Sequence, residues 1–215
     1  IIVVNDGGEK IGSDTFAKYS NIKIYEYEQN KGKGYALKYG FEKCRGEYII
    51  FIDGDMELHP KDIYNFFVLR DIYDVDIVIG SKRHAYSKVE YPLFRRVLSL
   101  FYQLFIRIFL DLKGVKDTQV GLKLFKREVL AKSLPRVLIK RYAFDLELLT
   151  VASHLGYKKI LEAPITLNYS EGLKLNSWQG FVHLFKVAIP LMIDTLAIIY
   201  RLRILKYYDK HNYSV

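Results

Sequence analysis

The chain has 215 residues, half of them hydrophobic, with 33 Lys and Arg against 24 Asp and Glu, a formal net charge of +9. That is ample for one core of ordinary size, and the basic balance points to an anionic partner: a phosphorylated substrate, an anionic lipid surface or nucleic acid. The single cysteine, Cys44, excludes an internal disulfide and a cysteine-based zinc site.

The aromatic load is unusual, with 18 Tyr and 13 Phe against one Trp. Tyr suits surfaces that are part apolar and part wet. No repeat, low-complexity tract or linker is visible, and no signal peptide. The chain opens inside an apolar run without Met, so residues upstream are expected.

Ile1–Val4 reads as a buried strand, closed by the turn Asn5-Asp6-Gly7-Gly8. Ile22–Glu26 is a second strand, Lys33–Lys43 a helix and Tyr48–Ile52 a third strand. Pro60 suits the first turn of a helix running to about Ile72. Asp76–Gly80 is another short strand, and Leu122–Lys126 a further one. Short apolar strands alternating with helices predict an α/β unit with a mostly parallel sheet.

From Leu93 to Leu112 the polar residues, among them Arg95, Arg96, Gln103 and Arg107, fall at spacings of three and four. They make one narrow basic stripe on a wide apolar helix. Two readings are open: a core helix with snorkelling arginines, or a helix lying in a membrane surface. A second such segment runs from about Trp178 to Tyr208. Its apolar stretch Val187–Tyr200 is interrupted by Pro190 and Asp194, short of the ~20 apolar residues a transmembrane span needs. The following Arg201, Arg203, Lys206 and Lys210 fit a cytoplasmic-side membrane surface.

The chemistry-bearing residues gather at element ends. Asp53-Gly54-Asp55 follows the run Tyr48–Ile52. It is either a plain Asp-Gly turn or a pair of carboxylates for a hard divalent cation. If the chain stays extended, Asp53, Asp55 and Glu57 all point to one side. Asp6 is either a turn residue or an acceptor for nucleotide groups. Asn30-Lys31-Gly32-Lys33-Gly34 opens a helix, a position suited to phosphate, without Walker A spacing. Asp145 and Glu147 open another helix, where capping is the alternative to a site role. His59, alone before Pro60, reads as a surface residue. No Ser/His/Asp arrangement is evident, and the five His show no metal spacing.

The order of these motifs resembles a family 2 glycosyltransferase of GT-A fold. The resemblance is carried by Val3-Val4-Asn5-Asp6-Gly7-Gly8, Asn30-Lys31-Gly32-Lys33-Gly34, Asp53-Gly54-Asp55 and Gly80-Ser81-Lys82-Arg83. It continues through Asp117-Thr118-Gln119-Val120-Gly121-Leu122-Lys123-Leu124-Phe125, the Arg141–Leu149 stretch and Gly172–Asn176. Those later stretches are the specific ones. They look most like the polyprenyl-phosphate branch, the dolichyl-phosphate glucosyltransferases and dolichol-phosphate mannose synthases.

The resemblance implies a Rossmann-like α/β sandwich with amphipathic membrane-associating helices. Residues 1–176 would form the catalytic domain, including the interface helix at about 93–112, and 177–215 a C-terminal helical membrane-associating segment. It implies Asp6 at the nucleobase, and Asp53 and Asp55 on Mg²⁺ or Mn²⁺ and the nucleotide sugar, with Glu57 completing the metal shell. Lys33 and Gln119 join the substrate contacts. Arg95 and Arg96, with Arg83, would hold the lipid phosphate, and Asp117, Asp145 and Glu147 would line the sugar and acceptor pocket. Asp53, Asp55, Asp145 and Glu147 are the catalytic candidates.

The expected reaction is inverting transfer of a sugar from a UDP- or GDP-linked donor to a polyprenyl (dolichyl) monophosphate. It would take place at a membrane surface, on the cytoplasmic side, with no nucleic-acid partner. Two departures stand out: the family's first strand, with its Pro-x-Tyr-Asn-Glu-like segment, is expected upstream of Ile1, and Asn5 replaces the usual Asp. Two rivals are a GT-A enzyme with a soluble or protein acceptor, and a non-enzymatic basic binding module. The module would leave Asp53, Asp55 and Glu57 unexplained.

Overall fold

The computed structural model describes residues 1–12, 14–87, 102–110, 112, 114–167 and 178–209, with the backbone alone over 178–185. Strands β1 (Ile2–Asp6) and β2 (Lys23–Tyr27) pair in parallel, Val3 opposite Ile24 and Asp6 opposite Tyr27. Helix α1 (Lys33–Lys43) packs on them. Tyr27 meets Tyr35 and Tyr39 edge-on, at ring separations of 5.4 and 5.9 Å, and Lys31 and Lys43 lie over the same group of rings. Part of the tyrosine excess is therefore a local aromatic seam between β2 and α1, capped by cations.

The second sheet has four strands in the order β3 (Tyr48–Phe51), β5 (Lys123–Lys126), β4 (Ile77–Ser81), β6 (Ile160–Pro164). β4 and β6 are parallel, whereas β5 runs antiparallel to both its neighbours. The sheet is therefore mixed. β5 begins beside the end of β4, with Lys123 opposite Ile79, and so runs in the opposite direction.

Alternate residues of the strands feed two cores. Ile77, Ile79 and Phe125 pack with α4 (Arg127–Ser133) and α5 (Phe144–His154) on one face. Val78, Leu122 and Leu124 pack with Phe66 of α2 (Ile63–Tyr73) on the other. Period-two alternation with both faces covered is what makes the domain an α/β sandwich. Each fully buried side chain of this kind contributes about 2 kcal/mol.

The sequence reading held no expectation of α4 or β6. Pro60 opens a short 3₁₀ turn, Pro60–Asp62, before α2, and His59 Nδ1 accepts from the Lys61 amide 3.1 Å away, capping that turn.

Of the predicted 93–112 helix, 102–109 is described and helical (α3). The core reading holds for one side of it. Ile106 and Leu110 are in the core, while Leu104, Arg107 and Ile108 face outward. Helix α6 (Trp178–Ile199) continues past Pro190 and passes into a π-helical turn, Tyr200–Ile204. Ile198, and Tyr208 just beyond, are buried against the α5 side of the core.

The outer face of α6 and its extension carries Ile189, Met192, Ile193, Leu196, Tyr200 and Ile204, all exposed and spaced by three and four. α3 lies beside it: the Tyr102 and Thr195 hydroxyls are 2.9 Å apart, and Arg203 donates to the Phe109 carbonyl. No described helix is long and apolar enough to cross a membrane.

Candidate active site

The end of β3, the start of β5, the end of β4 and the N-terminus of α1 meet at one edge of the sandwich. The antiparallel register pairs Phe51 with Lys123, so Asp53, two residues on, stands across from Gly121. The fit requires glycine: a Cβ on Gly121 would lie 1.9 Å from Asp53 Oδ2.

Lys33, the first residue of α1, reaches both oxygens of Asp53, at 2.9 and 3.0 Å, and Asp145 Oδ2 at 3.1 Å. The other oxygen of Asp145 takes the Lys123 ammonium at 2.6 Å, and Lys123 also donates to the Val120 carbonyl. Four charges therefore alternate in a line: Lys123, Asp145, Lys33, Asp53. Lys123 and Asp145 are buried. An isolated buried charge is strongly unfavourable, so each requires the other.

Burial would raise the Asp145 pKa, but Lys123 and Lys33 hold the carboxyl below its ordinary value, so it stays ionised. Burial would lower Lys33, and the charges of Asp145 and Asp53 outweigh it and raise it. Lys123 is pulled below its ordinary value by burial, against the attraction of Asp145 and with the repulsion of Lys33. The helix-cap reading of Asp145 is replaced by this ion-pair role, since α5 begins without a side-chain cap.

The remaining acids separate. Asp6 accepts the Lys31 amide at 2.7 Å and the Gly32 amide at 2.9 Å, which pins the loop leading into Lys33. Gly32 itself is held at φ 94°, where a side chain would be strained, and a Cβ would stand 2.5 Å from the Lys140 carbonyl. Asp117 accepts the Lys82 amide at 3.0 Å and the Gln119 amide at 3.2 Å, tying the end of β4 to the loop before β5. Gln119 also bonds the Thr118 hydroxyl. Arg83 donates to Gln103 of α3. Arg95 and Arg96 lie outside the described residues.

Glu147 is wholly enclosed and belongs to a different cluster. Its carboxylate accepts from the Leu138 and Ile139 amides at 2.9 and 2.7 Å, the Arg201 guanidinium at 2.8 Å and the Tyr208 hydroxyl at 2.6 Å. It ties the loop before α5 to the C-terminal segment.

The extended arrangement of Asp53, Asp55 and Glu57 is corrected by the structure. The chain turns at Gly54-Asp55, Met56 takes φ 62°, and Asp55 Oδ1 accepts the Glu57 amide at 3.0 Å. The glycine permits a turn that breaks the alternation. No group of three metal-capable side chains converges among the described residues. Two hard carboxylates at a strand end, with Asp55 exposed, do fit a divalent cation whose other ligands come from substrate phosphates.

Sequence reasoning passed over Lys123, Gly121 and Tyr208, and it read Arg201 as part of a basic membrane flank, whereas its guanidinium turns inward onto Glu147. The available signal was Lys123 alone between Leu122 and Leu124: a cation at a core position needs a buried anion.

A profile described as Glycosyl transferase family 2 matches residues 1–134. A dolichyl-phosphate beta-glucosyltransferase of Dictyostelium discoideum is 31% identical, over 94% of this chain and 65% of its own length. That of Homo sapiens is 30% identical, over 86% of this chain and 61% of its own. This chain thus spans less than two thirds of either relative.

Among solved structures, glucosyl-3-phosphoglycerate synthase from Mycobacterium tuberculosis, with Mn²⁺, UDP-glucose and phosphoglyceric acid, superposes with a TM-score of 0.63. The identity is 19%, over 92% of this chain and 68% of that one. Mannosyl-3-phosphoglycerate synthase from Rubrobacter xylanophilus gives 0.64 at 17% identity, over 95% of this chain and 65% of that one. The shared architecture is the GT-A fold.

Proposed function

The chain belongs to glycosyl transferase family 2, and from that premise we propose that it moves a glucosyl group from UDP-glucose to dolichyl monophosphate at the cytoplasmic face of a membrane. The observation that carries the reading is the strand-end pair Asp53 and Asp55, with Asp53 seated on Gly121 and bound by Lys33. What supports the sugar and the acceptor is the name shared by the D. discoideum and human relatives. What supports UDP-glucose and a divalent cation is the mycobacterial complex.

In this reading Asp53 and Asp55 would hold Mg²⁺ or Mn²⁺, which when bound would neutralise charge on the departing diphosphate, and the turn at Gly54-Asp55 leaves Glu57 out of the set. Lys33 adds a positive charge at the same place. Asp6 and the glycines after it shape the loop that receives the nucleotide, and Asp117 and Gln119 hold the wall between β4 and β5. The acceptor phosphate is ionised at neutral pH, so no strong general base is needed. Its oxygen attacks the anomeric carbon, the bond to the diphosphate breaks, and single displacement inverts the configuration. Arg83, with Arg95 and Arg96, would hold the acceptor phosphate by charge-assisted bonds. Asp145 positions Lys33. The apolar line on α6 and the outer residues of α3 would rest on the lipid.

The test incubates the protein with Mn²⁺, a panel of UDP- and GDP-sugars and vesicles containing dolichyl phosphate, and detects glycosylated lipid by mass spectrometry. Glucosylated lipid from UDP-glucose, absent with Asp55→Ala, is the expected result. Product only on soluble phosphorylated acceptors such as 3-phosphoglycerate would move the reading to a soluble acceptor. No product from any donor would overturn it.

A further inference from the structure

We propose that Lys33 is the resident counter-ion of Asp53, and that it keeps a free divalent cation off this carboxylate until a nucleotide diphosphate brings one in. The inference rests on the metal-assisted nucleotide-sugar reading of the site.

Both oxygens of Asp53 lie within 3.0 Å of the Lys33 ammonium. A cation approaching Asp53 alone meets a fixed positive charge in front of its ligand. Asp55 stands on an exposed turn, and no third metal-capable group joins them among the described residues. The line Lys123, Asp145, Lys33, Asp53 is already neutral, so adding a free dication leaves an excess of positive charge in a partly enclosed place. A dication arriving on a diphosphate is different, because the phosphates bring the compensating charge and give Lys33 a second anion.

Lys33 is built for that exchange. Its side chain is one third exposed, whereas its other partner, Asp145, is buried and fixed by Lys123. Asp145 can therefore hold the lysine at the site while Asp53 is released. A cation at the first residue of a helix also opposes the helix dipole, so Lys33 stands there because Asp53 and Asp145 hold it, not because the helix favours it.

The experiment measures Mn²⁺ uptake by electron paramagnetic resonance, from MnCl₂ alone and from MnCl₂ with UDP or with GDP, for the wild type and for Lys33→Met, Lys33→Arg and the double variant Lys33→Met/Asp53→Asn. Circular dichroism confirms folding, with Lys33→Gln replacing Lys33→Met should that variant not fold. The expected result is that Lys33→Met binds Mn²⁺ alone about tenfold tighter than wild type or more. Lys33→Arg should behave as wild type, and the gain should vanish in the double variant.

Mn²⁺ affinity unchanged or weaker in the charge-removing variant overturns the proposal, as does a gain in Lys33→Arg equal to that in Lys33→Met. The two readings separate cleanly. A gain in Lys33→Met, with no uptake of Mn²⁺ with UDP or GDP by wild type, keeps the role of Lys33 and removes the nucleotide-sugar reading. Uptake with nucleotide by wild type without that gain does the reverse.

Discussion

Asp53 rests against the bare Cα of Gly121, so closely that a methyl group there would lie 1.9 Å from its Oδ2. The antiparallel pairing of β3 with β5 sets that contact, and the glycine of the Asp117–Phe125 motif has a physical reason: it is the floor under the first carboxylate. Gly121→Ala must turn Asp53 away from Lys33. Nucleotide binding in the presence of Mn²⁺ should weaken about tenfold or more while the melting temperature changes little. Calorimetric titration with UDP, beside a thermal scan, checks both halves.

Asp145 carries a stability role that a substrate-binding acid would not. Asp145→Asn leaves Lys123 buried without its anion and should cost about 3 kcal/mol in urea unfolding. The double change Lys123→Met/Asp145→Leu should recover much of that loss, because it removes both charges together.

The pH dependence has a defined sign. The folded Asp145 pKa lies below its unfolded value, so its stabilisation is full above the ordinary carboxylate pKa and is lost as pH falls through the lower folded one. Lys33 is raised, so its contribution is full below the ordinary lysine pKa and is lost as pH rises through the higher folded one. Urea midpoints measured against pH should show an acid limb in the wild type that is shallower in Asp145→Asn, and an alkaline limb that is shallower in Lys33→Met.

Glu147 should behave as a tether. Glu147→Ala removes the acceptor of two amides, a guanidinium and a phenol at once. Hydrogen exchange should rise both at 137–141 and at 200–209. In Arg201→Met it should rise at 200–209 alone, since the two amides keep their partner.

The outward line on α6 predicts lipid contact. Ile193→Glu with Leu196→Glu should reduce flotation on vesicles of anionic lipid, leaving nucleotide binding as in the wild type. Equal flotation of the variant would place the lipid contact elsewhere.

Much of this fold follows from local pattern. The apolar runs at Ile1–Val4 and Tyr48–Ile52 give β1 and β3, and the carboxylates after β3 mark the end of the sheet where Lys33 and Asp145 meet Asp53. What the pattern does not contain is which partner lies across the fold. Lys123 and Asp145 are 22 residues apart and belong to different elements, so neither residue alone reveals the pair. Asp145 and Glu147 looked equivalent at the head of one helix, yet one faces two lysines and the other faces the C-terminal segment. The alternating acids after β3 failed for a local reason: Gly54 allows a turn, and the period of two ends where the strand does.

The Glu147 contacts also bear on how the molecule could be divided. Arg201 and Tyr208 satisfy an anion inside the domain, so a protein shortened to 1–176 would strip that carboxylate of half its donors and of the side chains that cover it. The C-terminal segment is in this sense a plug rather than an appendage. An engineer seeking a minimal soluble form should recolour the outer face of α6 and leave its inner face intact.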